Sequence, residues 1–288
     1  MGHQIQRDRA GEEAVSGAEQ VKALLTRFGL SPNPGLGQNF LTDGGKAEAI
    51  AQAACGDGSL PVLEIGPGLG ALTGPLLARA PMVCAVELDE ALAAALGALY
   101  GHDPKLCLVQ GDFLKTGLDG LYTRLGGPFI VAANLPYYAT TPICLKLLAC
   151  GLPIERLALM AQAEAADRFF ARPGARQYGP LAVLAQYYYA PTRLLSLSPA
   201  DYYPQPEVSS AVTLLQSRHL GPLPGFPAFL QRAFAMRRKT LANNLKGMDG
   251  ALDALSSLGI PPAARAESLE PAQLAALCAA LERVGAAS

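Results

Sequence analysis

The 288-residue sequence contains no tryptophan and only three histidines, which stand far apart at His3, His102 and His219. Its six cysteines form no C-x-x-C pair and lie mostly among aliphatic residues, which is typical of small core residues in a reducing compartment. Zinc sites in proteins are built from histidine and cysteine ligands at short, regular spacings. The sequence therefore predicts no metal site.

Long hydrophobic runs are also missing. No segment approaches the ~20 consecutive apolar residues that a membrane-spanning helix requires. The first twenty residues lack the apolar region of a signal peptide and carry these charged residues: Arg7, Asp8, Arg9, Glu12, Glu13 and Glu19. We predict a cytoplasmic protein that has no membrane partner and a flexible tail over residues 1–20.

An excess of either charge is absent as well. Charged residues make up 16% of the chain, and the formal net charge is −1. This balance argues mildly against a nucleic-acid partner, although a total can conceal a local basic patch. Because half of the residues are hydrophobic, the chain can form one large core and a small second unit.

The most informative stretch is residues 61–73, which predict a buried strand, a glycine turn and the start of a helix. Glycines at Gly66, Gly68 and Gly70 allow the backbone to reverse tightly and to approach a ligand closely. The spacing is G-x-G-x-G, whereas a dinucleotide-binding turn has G-x-G-x-x-G, and position 71 is Ala71. Glu64, inside the strand, is an acid where a structural strand would carry an aliphatic residue, so it needs a partner.

Strands and helices alternate after this turn. Predicted strands cover residues 62–65, 82–86, 106–109, 129–133, 157–160, 182–189 and 211–215. This pattern predicts an α/β fold with a doubly wound, Rossmann-like sheet of seven strands over residues 21–217. Residues 218–225 form a linker rich in glycine and proline, and residues 226–288 predict a small all-helical domain. Its apolar faces are Phe226, Phe229, Leu230, Ala233 and Phe234; Leu252, Leu255 and Leu258; and, in a last helix capped by Ser268, Leu274, Leu277, Leu281 and Val284.

Polar residues follow the predicted strands at one edge of the sheet, where such sheets bind ligands. Glu87 follows the second strand, where an acid can accept hydrogen bonds from two ribose hydroxyls. Asp112 follows the third strand and could accept from an adenine amine, and Asn134 follows the fourth. Any one of these residues alone would be a loop residue or a helix cap, as we expect for Asp89 and Glu90. Their shared position favours a binding site.

The segment Asn134, Leu135, Pro136 and Tyr137 is the sharpest motif. The Asn134 amide oxygen and the Leu135 carbonyl can both accept hydrogen bonds from one NH₂ group, and the Tyr137 ring can stack on an extruded base. A plain Asn-Leu-Pro turn with a tyrosine over the core is the alternative. The position after the fourth strand favours a catalytic role.

Taken together, these motifs resemble the ribosomal RNA adenine N6-dimethyltransferases, which use S-adenosylmethionine (SAM), from about Leu24 to the C-terminus. The resemblance implies that Asn134 to Tyr137 form the catalytic box and that Tyr202 helps to sandwich the target base. Asn134 also counts among the cofactor-binding residues. The others that it implies are Gln38, Asn39, Phe40 and Leu41 over the methionine end; Glu64, Gly66, Gly68 and Gly70 in the SAM loop; Glu87 and Leu88 at the ribose; and Gly111, Asp112 and Phe113 at the adenine.

Several positions depart from the family pattern. Tyr202 replaces a phenylalanine, which preserves stacking, whereas Ala163, Glu207 and Ser209 replace residues of the usual motif and lower the affinity expected for RNA. Residues 185–250 nevertheless contain seven basic and three acidic residues. The residues expected to contact RNA phosphates are Arg237, Arg238, Lys239 and Lys246, although such a run is often only a solvated face.

The resemblance implies dimethylation of two adjacent adenosines in the 3′-terminal hairpin loop of small-subunit ribosomal RNA, on a pre-ribosomal particle. The sequence carries no signal of oligomeric state, so a monomer is the default expectation. One alternative is the large-subunit adenine methyltransferase that confers macrolide resistance. A second is an assembly factor that acts mainly by binding RNA. A nicotinamide dehydrogenase is a third, which the glycine spacing disfavours.

Overall fold

The computed structural model of the chain describes residues 17–286. A seven-stranded mixed sheet lies between two layers of helices, and further helices follow it at the C-terminus. Two short strands form a separate small sheet beside it. The strands are β1 (Phe40–Leu41), β2 (Val62–Ile65), β3 (Val83–Glu87), β4 (Leu106–Gln110), β5 (Phe129–Asn134), β6 (Ile154–Gln162), β7 (Tyr189–Leu197), β8 (Tyr202–Tyr203) and β9 (Ser210–Ser217).

Helices connect most of the strands. Those of the sheet region are α1 (Gly17–Arg27), α2 (Gly44–Cys55), α3 (Thr73–Leu77), α4 (Glu90–Tyr100), α5 (Leu118–Leu125), α6 (Thr140–Ala149), α7 (Ala163–Asp167) and α8 (Pro180–Tyr188). The C-terminal helices are α9 (Phe226–Ala233), α10 (Leu241–Asn244), α11 (Ala251–Ser257) and α12 (Pro271–Ala286). None of the helices within residues 17–286 is both long and apolar enough to cross a membrane.

The strand order of the large sheet is β4-β3-β2-β5-β6-β9-β7. The first five strands are parallel, and β9 pairs antiparallel with both β6 and β7. Strand order reverses at β2, because β3 lies on one side of it and β5 on the other. A crevice outside the carboxyl ends of β2 and β5 is therefore the expected ligand site of this fold.

Both faces of the sheet are covered, as parallel strands require. Alternate residues of β2 enter two different hydrophobic clusters: Val62 packs with α2 and α3, whereas Leu63 and Ile65 pack with α5, α6 and α8. Glu64 shares the face of Val62, since side chains alternate along a strand. The acid thus points toward α3, the helix that follows the glycine turn.

The predicted strand over residues 182–189 is wrong. Pro180 occupies the first turn of helix α8, where its missing N–H costs nothing, and residues 181–185 are all buried. Helix α8 is apolar all round because it packs against both α6 and the C-terminal helices α9 and α12. An apolar run of this length cannot distinguish a buried helix from a strand. The seventh strand is β7, an edge strand whose Arg193 and Pro191 hide its apolar pattern.

The C-terminal helices share one hydrophobic cluster with a face of the sheet. All five residues predicted for the first apolar face are buried: Phe226, Phe229, Leu230, Ala233 and Phe234. The second predicted face is wrong except for Leu255, because Ala251 and Ala254 are buried while Leu252 and Leu258 are exposed. Ser268 does not cap the last helix, since it ends a short 3-10 helix and α12 begins at Pro271. Leu274, Leu277 and Leu281 are buried as predicted, and the side chain of Val284 lies outside the described residues.

Helix α1 begins inside the segment predicted to be a flexible tail, which was expected to extend to residue 20. It begins at Gly17, where an added Cβ would come within 1.8 Å of the Thr42 carbonyl oxygen. The prediction of a flexible tail is thus wrong for residues 17–20, which belong to this helix. The rest of the predicted tail lies outside the described residues. Val21 and Leu25 anchor the helix in a small cluster with Phe40, Leu69 and Leu92.

Candidate active site

A cavity of about 480 Å³ opens at the carboxyl ends of the central parallel strands. Every residue predicted for the catalytic box and the cofactor site lines it, from Gln38 to Tyr202. Gly17 and Gln20 of α1 line it too, although their sequence context showed no signal for a site.

The glycine turn forms one wall of the cavity. All three glycines have positive φ angles, which are 67° at Gly66, 59° at Gly68 and 86° at Gly70. A Cβ at Gly68 would lie 3.2 Å from the Phe40 ring, and one at Gly70 would lie 2.4 Å from Cε2 of Tyr100. The turn therefore needs glycine for its conformation and for the close packing around it.

Glu64 is the most strongly perturbed acid of the site. Its side chain is 1% exposed, its Oε2 accepts a hydrogen bond of 2.7 Å from the Thr73 hydroxyl, and its Oε1 has no partner among the described residues. Burial raises the pKa of Glu64 to about 8, Thr73 opposes that shift, and Glu87 adds to it. A cationic or hydrogen-bond-donating ligand at Oε1 would satisfy this carboxyl group.

Glu87 ends β3 and organises two backbone segments. Its Oε2 accepts from the Gly68 N–H at 2.9 Å, and its Oε1 accepts from the Asp89 N–H at 2.9 Å. Burial raises the pKa of Glu87 despite these bonds. The carboxylate is thus held beside the glycine turn, with further acceptor capacity available to ligand hydroxyls. Asp89 caps α4 by accepting from the N–H groups of Ala91 and Leu92, as predicted.

Asp112 begins a tight loop after β4. Its Oδ1 accepts from the Leu114 N–H at 2.9 Å, and its Oδ2 lies 3.7 Å from the Lys115 ammonium group. The Phe113 side chain is buried, whereas Leu88 and Leu114 are exposed at the cavity wall. A flat apolar group could therefore enter between exposed leucines and meet the Asp112 carboxylate.

The segment from Gln38 to Leu41 joins the glycine turn to the catalytic box. Gln38 donates to Asp89 at 3.0 Å, and Phe40 and Leu41 pair as β1 with β8. The Asn39 carbonyl accepts a hydrogen bond of 3.1 Å from the Asn134 side-chain amide. This bond fixes the orientation of the Asn134 amide, so that its oxygen remains as an acceptor at the cavity.

The catalytic box leads directly from β5 into α6. Leu135 donates its N–H to the Met160 carbonyl at 3.0 Å, and the Pro136 carbonyl accepts from Ala139 and Thr140 at the start of the helix. The turn is therefore rigid at both ends.

The aromatic residues around this box differ in exposure. The Tyr137 hydroxyl lies 3.3 Å from the Ser210 hydroxyl, and its ring is half-buried. Tyr202 is only 3% exposed and packs in the core beside Leu41, whereas Tyr138 is 58% exposed at the cavity mouth. In this structure the predicted stacking surface is available on Tyr137 and only marginally on Tyr202. Tyr138 is an aromatic residue of the cavity that was not predicted from the sequence.

The predicted RNA-binding residues lie in the C-terminal region. Arg237, Arg238 and Lys239 occupy the turn between α9 and α10, which we call the basic turn. Arg237 is bound to Glu267 and to the carbonyls of Arg176 and Ala175, so it also has a structural role. Within the described part of the chain, no side-chain hydrogen bond or ion pair engages Arg238, Lys239 or Lys246, and all three are exposed.

Three further arginines, Arg168, Arg172 and Arg176, lie between the catalytic box and helix α8 in the chain. Arg172 and Arg176 are exposed, and the bond from Arg237 to the Arg176 carbonyl places Arg176 beside the basic turn. Arg168 donates to the Thr141 hydroxyl at 3.3 Å, next to the catalytic box. Their regular spacing of four residues is the feature of the sequence that could have identified them.

The chain is similar to known proteins over nearly its whole length. The family model described as ribosomal RNA adenine dimethylase matches residues 29–282. A ribosomal RNA small subunit methyltransferase A from Moorella thermoacetica is 39% identical over 287 residues, which cover 94% of this chain and 99% of that protein. The protein of the same name from Acidobacterium capsulatum is 40% identical over 258 residues, covering 86% and 91%.

Solved structures also resemble this fold. A dimethyladenosine transferase from Plasmodium falciparum superposes with a TM-score of 0.71 at 24% identity, covering 85% of this chain and 98% of that one. The 23S rRNA methyltransferase ErmE superposes with a TM-score of 0.60 at 27% identity, covering 85% of this chain and all of that one.

Proposed function

Since this chain belongs to the ribosomal RNA adenine dimethylase family, whose members are SAM-dependent methyltransferases, we propose that it dimethylates N6 of two adjacent adenosines in the 3′-terminal hairpin loop of small-subunit ribosomal RNA. The observation that carries this proposal is the oriented Asn134 amide. It lies in one cavity with two buried carboxyl groups and a glycine turn.

The cavity fits SAM by the chemistry of its lining residues. Glu64 has a buried oxygen without a partner in the described chain, which suits the cationic methionine end of the cofactor. Glu87 would accept from the ribose hydroxyls, and Asp112 from the adenine amine. Gln38 to Leu41 would cover the methionine end. SAM supplies a methyl group that is already activated on a sulfonium, so the protein mainly provides position and electrostatics.

The acceptor nitrogen must be held with its lone pair directed at the methyl group. Asn134 Oδ1 and the Leu135 carbonyl would accept the two N–H bonds of the adenine amine. In such a transfer the N6–carbon bond would form as the carbon–sulfur bond breaks, and the alkylated nitrogen would then lose a proton to solvent. A strong general base is therefore not required. Tyr137 would stack on the extruded base, with Tyr202 as the wall behind it.

A pH-dependent cofactor affinity follows from Glu64. Its carboxyl group, with a pKa of about 8, is mostly protonated in the free protein at pH 7, and a cationic ligand group should displace that proton. We expect the affinity for S-adenosylhomocysteine to increase by up to about tenfold per pH unit from pH 6 to about 8, and then to level off. Titration calorimetry in buffers of different ionisation enthalpy would measure both the affinity and the released proton.

Two variants control this measurement. Glu64→Gln should remove the pH dependence, and Thr73→Val should move it to higher pH because the Thr73 hydrogen bond lowers the pKa of Glu64. Because folding raises the pKa of Glu64 from about 4.5 to about 8, the contribution of its protonated form to the stability of the free protein is complete below pH 4.5 and is lost as the pH rises to about 8. A wild-type affinity that does not change between pH 6 and pH 8 would contradict this role of Glu64.

The choice of ribosomal subunit is part of the proposal. The curated relatives at 39% and 40% identity are named for the small subunit, whereas the large-subunit enzyme ErmE is 27% identical in its solved structure. The test is transfer of radiolabelled methyl groups to small subunits that lack the modification, with large subunits alongside. We expect label on small subunits only. Label confined to large subunits would favour the macrolide-resistance type, and binding without transfer would favour an assembly factor.

RNA contact by the basic turn gives a further prediction. The double variant Arg238→Ala/Lys239→Ala should weaken binding to small subunits by about tenfold. It should also reduce the slope of log K against log salt concentration by about 2, because two exposed cations would no longer contact phosphates. Filter binding over a range of salt concentrations measures both effects.

The matched control for the basic turn keeps the charge. Arg238→Lys/Lys239→Arg should bind nearly as wild type, and S-adenosylhomocysteine binding should be unchanged in both double variants. Equal subunit affinity in the alanine variant and the wild type would exclude the basic turn from the RNA interface.

The departures from the family motif lie close together. The Ala163 N–H donates to the Ser209 carbonyl at 3.0 Å, Ser210 follows next to Tyr137, and Glu207 is exposed. We infer that Ala163 and Glu207 lower the positive charge near the acceptor end of the cavity. RNA affinity in this protein would then depend more strongly on the basic turn and on Arg172 and Arg176.

We propose that the protein acts as a monomer in the cytoplasm, on a precursor of the small ribosomal subunit. No group of histidine, cysteine and acidic residues in the described chain could hold a metal ion, and the proposed transfer uses none.

A further inference from the structure

Lys146, in the second turn of α6, binds the loop that follows β4. Its ammonium nitrogen donates to the carbonyls of Phe113 at 2.7 Å, Leu114 at 2.9 Å and Thr116 at 2.7 Å. An ammonium group has three N–H donors. Lys146 therefore uses all its donors on one loop, and it also lies over the Phe113 ring at 5.0 Å from the centroid.

The loop is closed at its other end by Asp112. The N–H groups of Lys115 and Thr116 donate to the Asp112 carbonyl, both at 2.9 Å, and the Thr116 hydroxyl does so at 2.9 Å. With the Asx turn to Leu114, these bonds turn the carbonyls of residues 113, 114 and 116 toward α6. Three carbonyl dipoles directed at one point repel each other unless a cation lies there.

The same helix starts at the catalytic box. The Pro136 carbonyl accepts from Ala139 and Thr140 in its first turn, and Lys146 lies further along the helix. Asp112, Phe113 and Leu114 line the cavity together with Asn134 and Pro136. Lys146 is thus a direct link between the loop at the adenine end of the cavity and the helix that carries the acceptor end.

We infer that Lys146 is a positioning residue that holds the Asp112 loop in the shape required to recognise the adenine of the cofactor. This inference rests on the proposed cofactor site and extends it to a residue outside the cavity wall. Asp112 supplies the acceptor for the adenine amine, and Lys146 fixes where that acceptor lies. Loss of Lys146 should therefore impair discrimination at the adenine, in addition to any loss of stability.

The test compares two ligands, S-adenosylhomocysteine and S-inosylhomocysteine, in which an oxygen replaces the N6 amine. Wild type should prefer the adenine form by about tenfold or more, because the Asp112 carboxylate would face an acceptor in the other ligand. Lys146→Met should bind S-adenosylhomocysteine about tenfold more weakly and retain only about twofold preference. A change that merely loosened the fold would weaken both ligands equally.

Lys105→Met is the matched control. Lys105 also donates to a backbone carbonyl, that of Leu77 at 2.8 Å, but it does not line the cavity. It should lower the melting temperature and leave the ligand preference as in wild type. Lys146→Arg provides a second variant if Lys146→Met does not fold, and its preference should fall by about threefold because a planar guanidinium cannot direct three donors from one atom.

Two results would overturn the inference in different ways. A wild-type preference that persists within twofold in both Lys146 variants would show that Lys146 does not position the loop, and the cofactor site would stand. The absence of any preference in wild type would contradict the adenine contact of Asp112 itself and would remove the basis of the inference.

Discussion

Asn134→Ala is expected to lower kcat for methyl transfer by about 10³-fold while changing the Kd for S-adenosylhomocysteine by less than about fivefold. The variant removes the acceptor that the bond to the Asn39 carbonyl orients in the cavity. The adenine amine then loses one of its two partners and the direction of its lone pair. We expect cofactor binding to depend mainly on Glu64, Glu87 and the glycine turn, and the hydrogen bonds of the two acids do not involve the Asn134 side chain.

A companion variant separates orientation from the acceptor itself. Asn134→Asp keeps an acceptor of the same size but loses the N–H donor and introduces a negative charge beside the Asn39 carbonyl, so kcat should fall nearly as far. Single-turnover assays with saturating SAM and small subunits measure the chemical step. An Asn134→Ala enzyme that keeps more than a tenth of the wild-type rate would exclude Asn134 from the acceptor site.

Glu87→Ala should weaken the binding of S-adenosylhomocysteine by about 10²-fold. The Glu87 side chain is 6% exposed and accepts hydrogen bonds from the backbone N–H groups of Gly68 and Asp89. Its removal therefore releases the glycine turn and also eliminates the proposed acceptor for the ribose hydroxyls. Hydrogen bonds to a charged acceptor contribute about 1.5–3 kcal/mol each, and 1.4 kcal/mol is a tenfold change in affinity. Glu87→Gln, which keeps one acceptor oxygen, should fall between alanine and wild type.

The control for Glu87 is another acid that binds backbone. Asp103 accepts from the Lys105 N–H at 2.9 Å beyond the end of α4 and does not line the cavity. Asp103→Ala should therefore bind the ligand as wild type does. Calorimetric titration compares the variants, and a Glu87→Ala protein that binds within threefold of wild type would contradict the ribose role.

The parallel strands of the sheet were predicted well from the sequence, because the pattern of hydrophobic residues and the glycine turn indicate the same elements there. Glu87 and Asn134 could be recognised as neighbours because each ends a parallel strand, and such ends meet at one edge. Helix α8 was missed because burial on several sides removes the polar face by which a helix is recognised.

Contacts between distant segments could not be predicted in this way. The bond from Asn134 to Asn39 spans 95 residues, and that from Lys146 to Thr116 joins a helix to a loop 30 residues earlier. Nothing local marks Lys146 as different from a solvated helix residue. Likewise, the sequence around Arg237 indicates a free surface cation, whereas its hydrogen bonds to Glu267 and to the Arg176 carbonyl give it a structural role.

The most direct test of the proposed methyl transfer is to identify its product. Small ribosomal subunits that lack the modification would be incubated with the protein and SAM, then digested to nucleosides and to oligonucleotides for mass spectrometry. We expect N6,N6-dimethyladenosine at two adjacent positions of the 3′-terminal hairpin loop, and none with Asn134→Ala. Methylation at another atom or in another RNA segment, or an equal yield with Asn134→Ala, would contradict it.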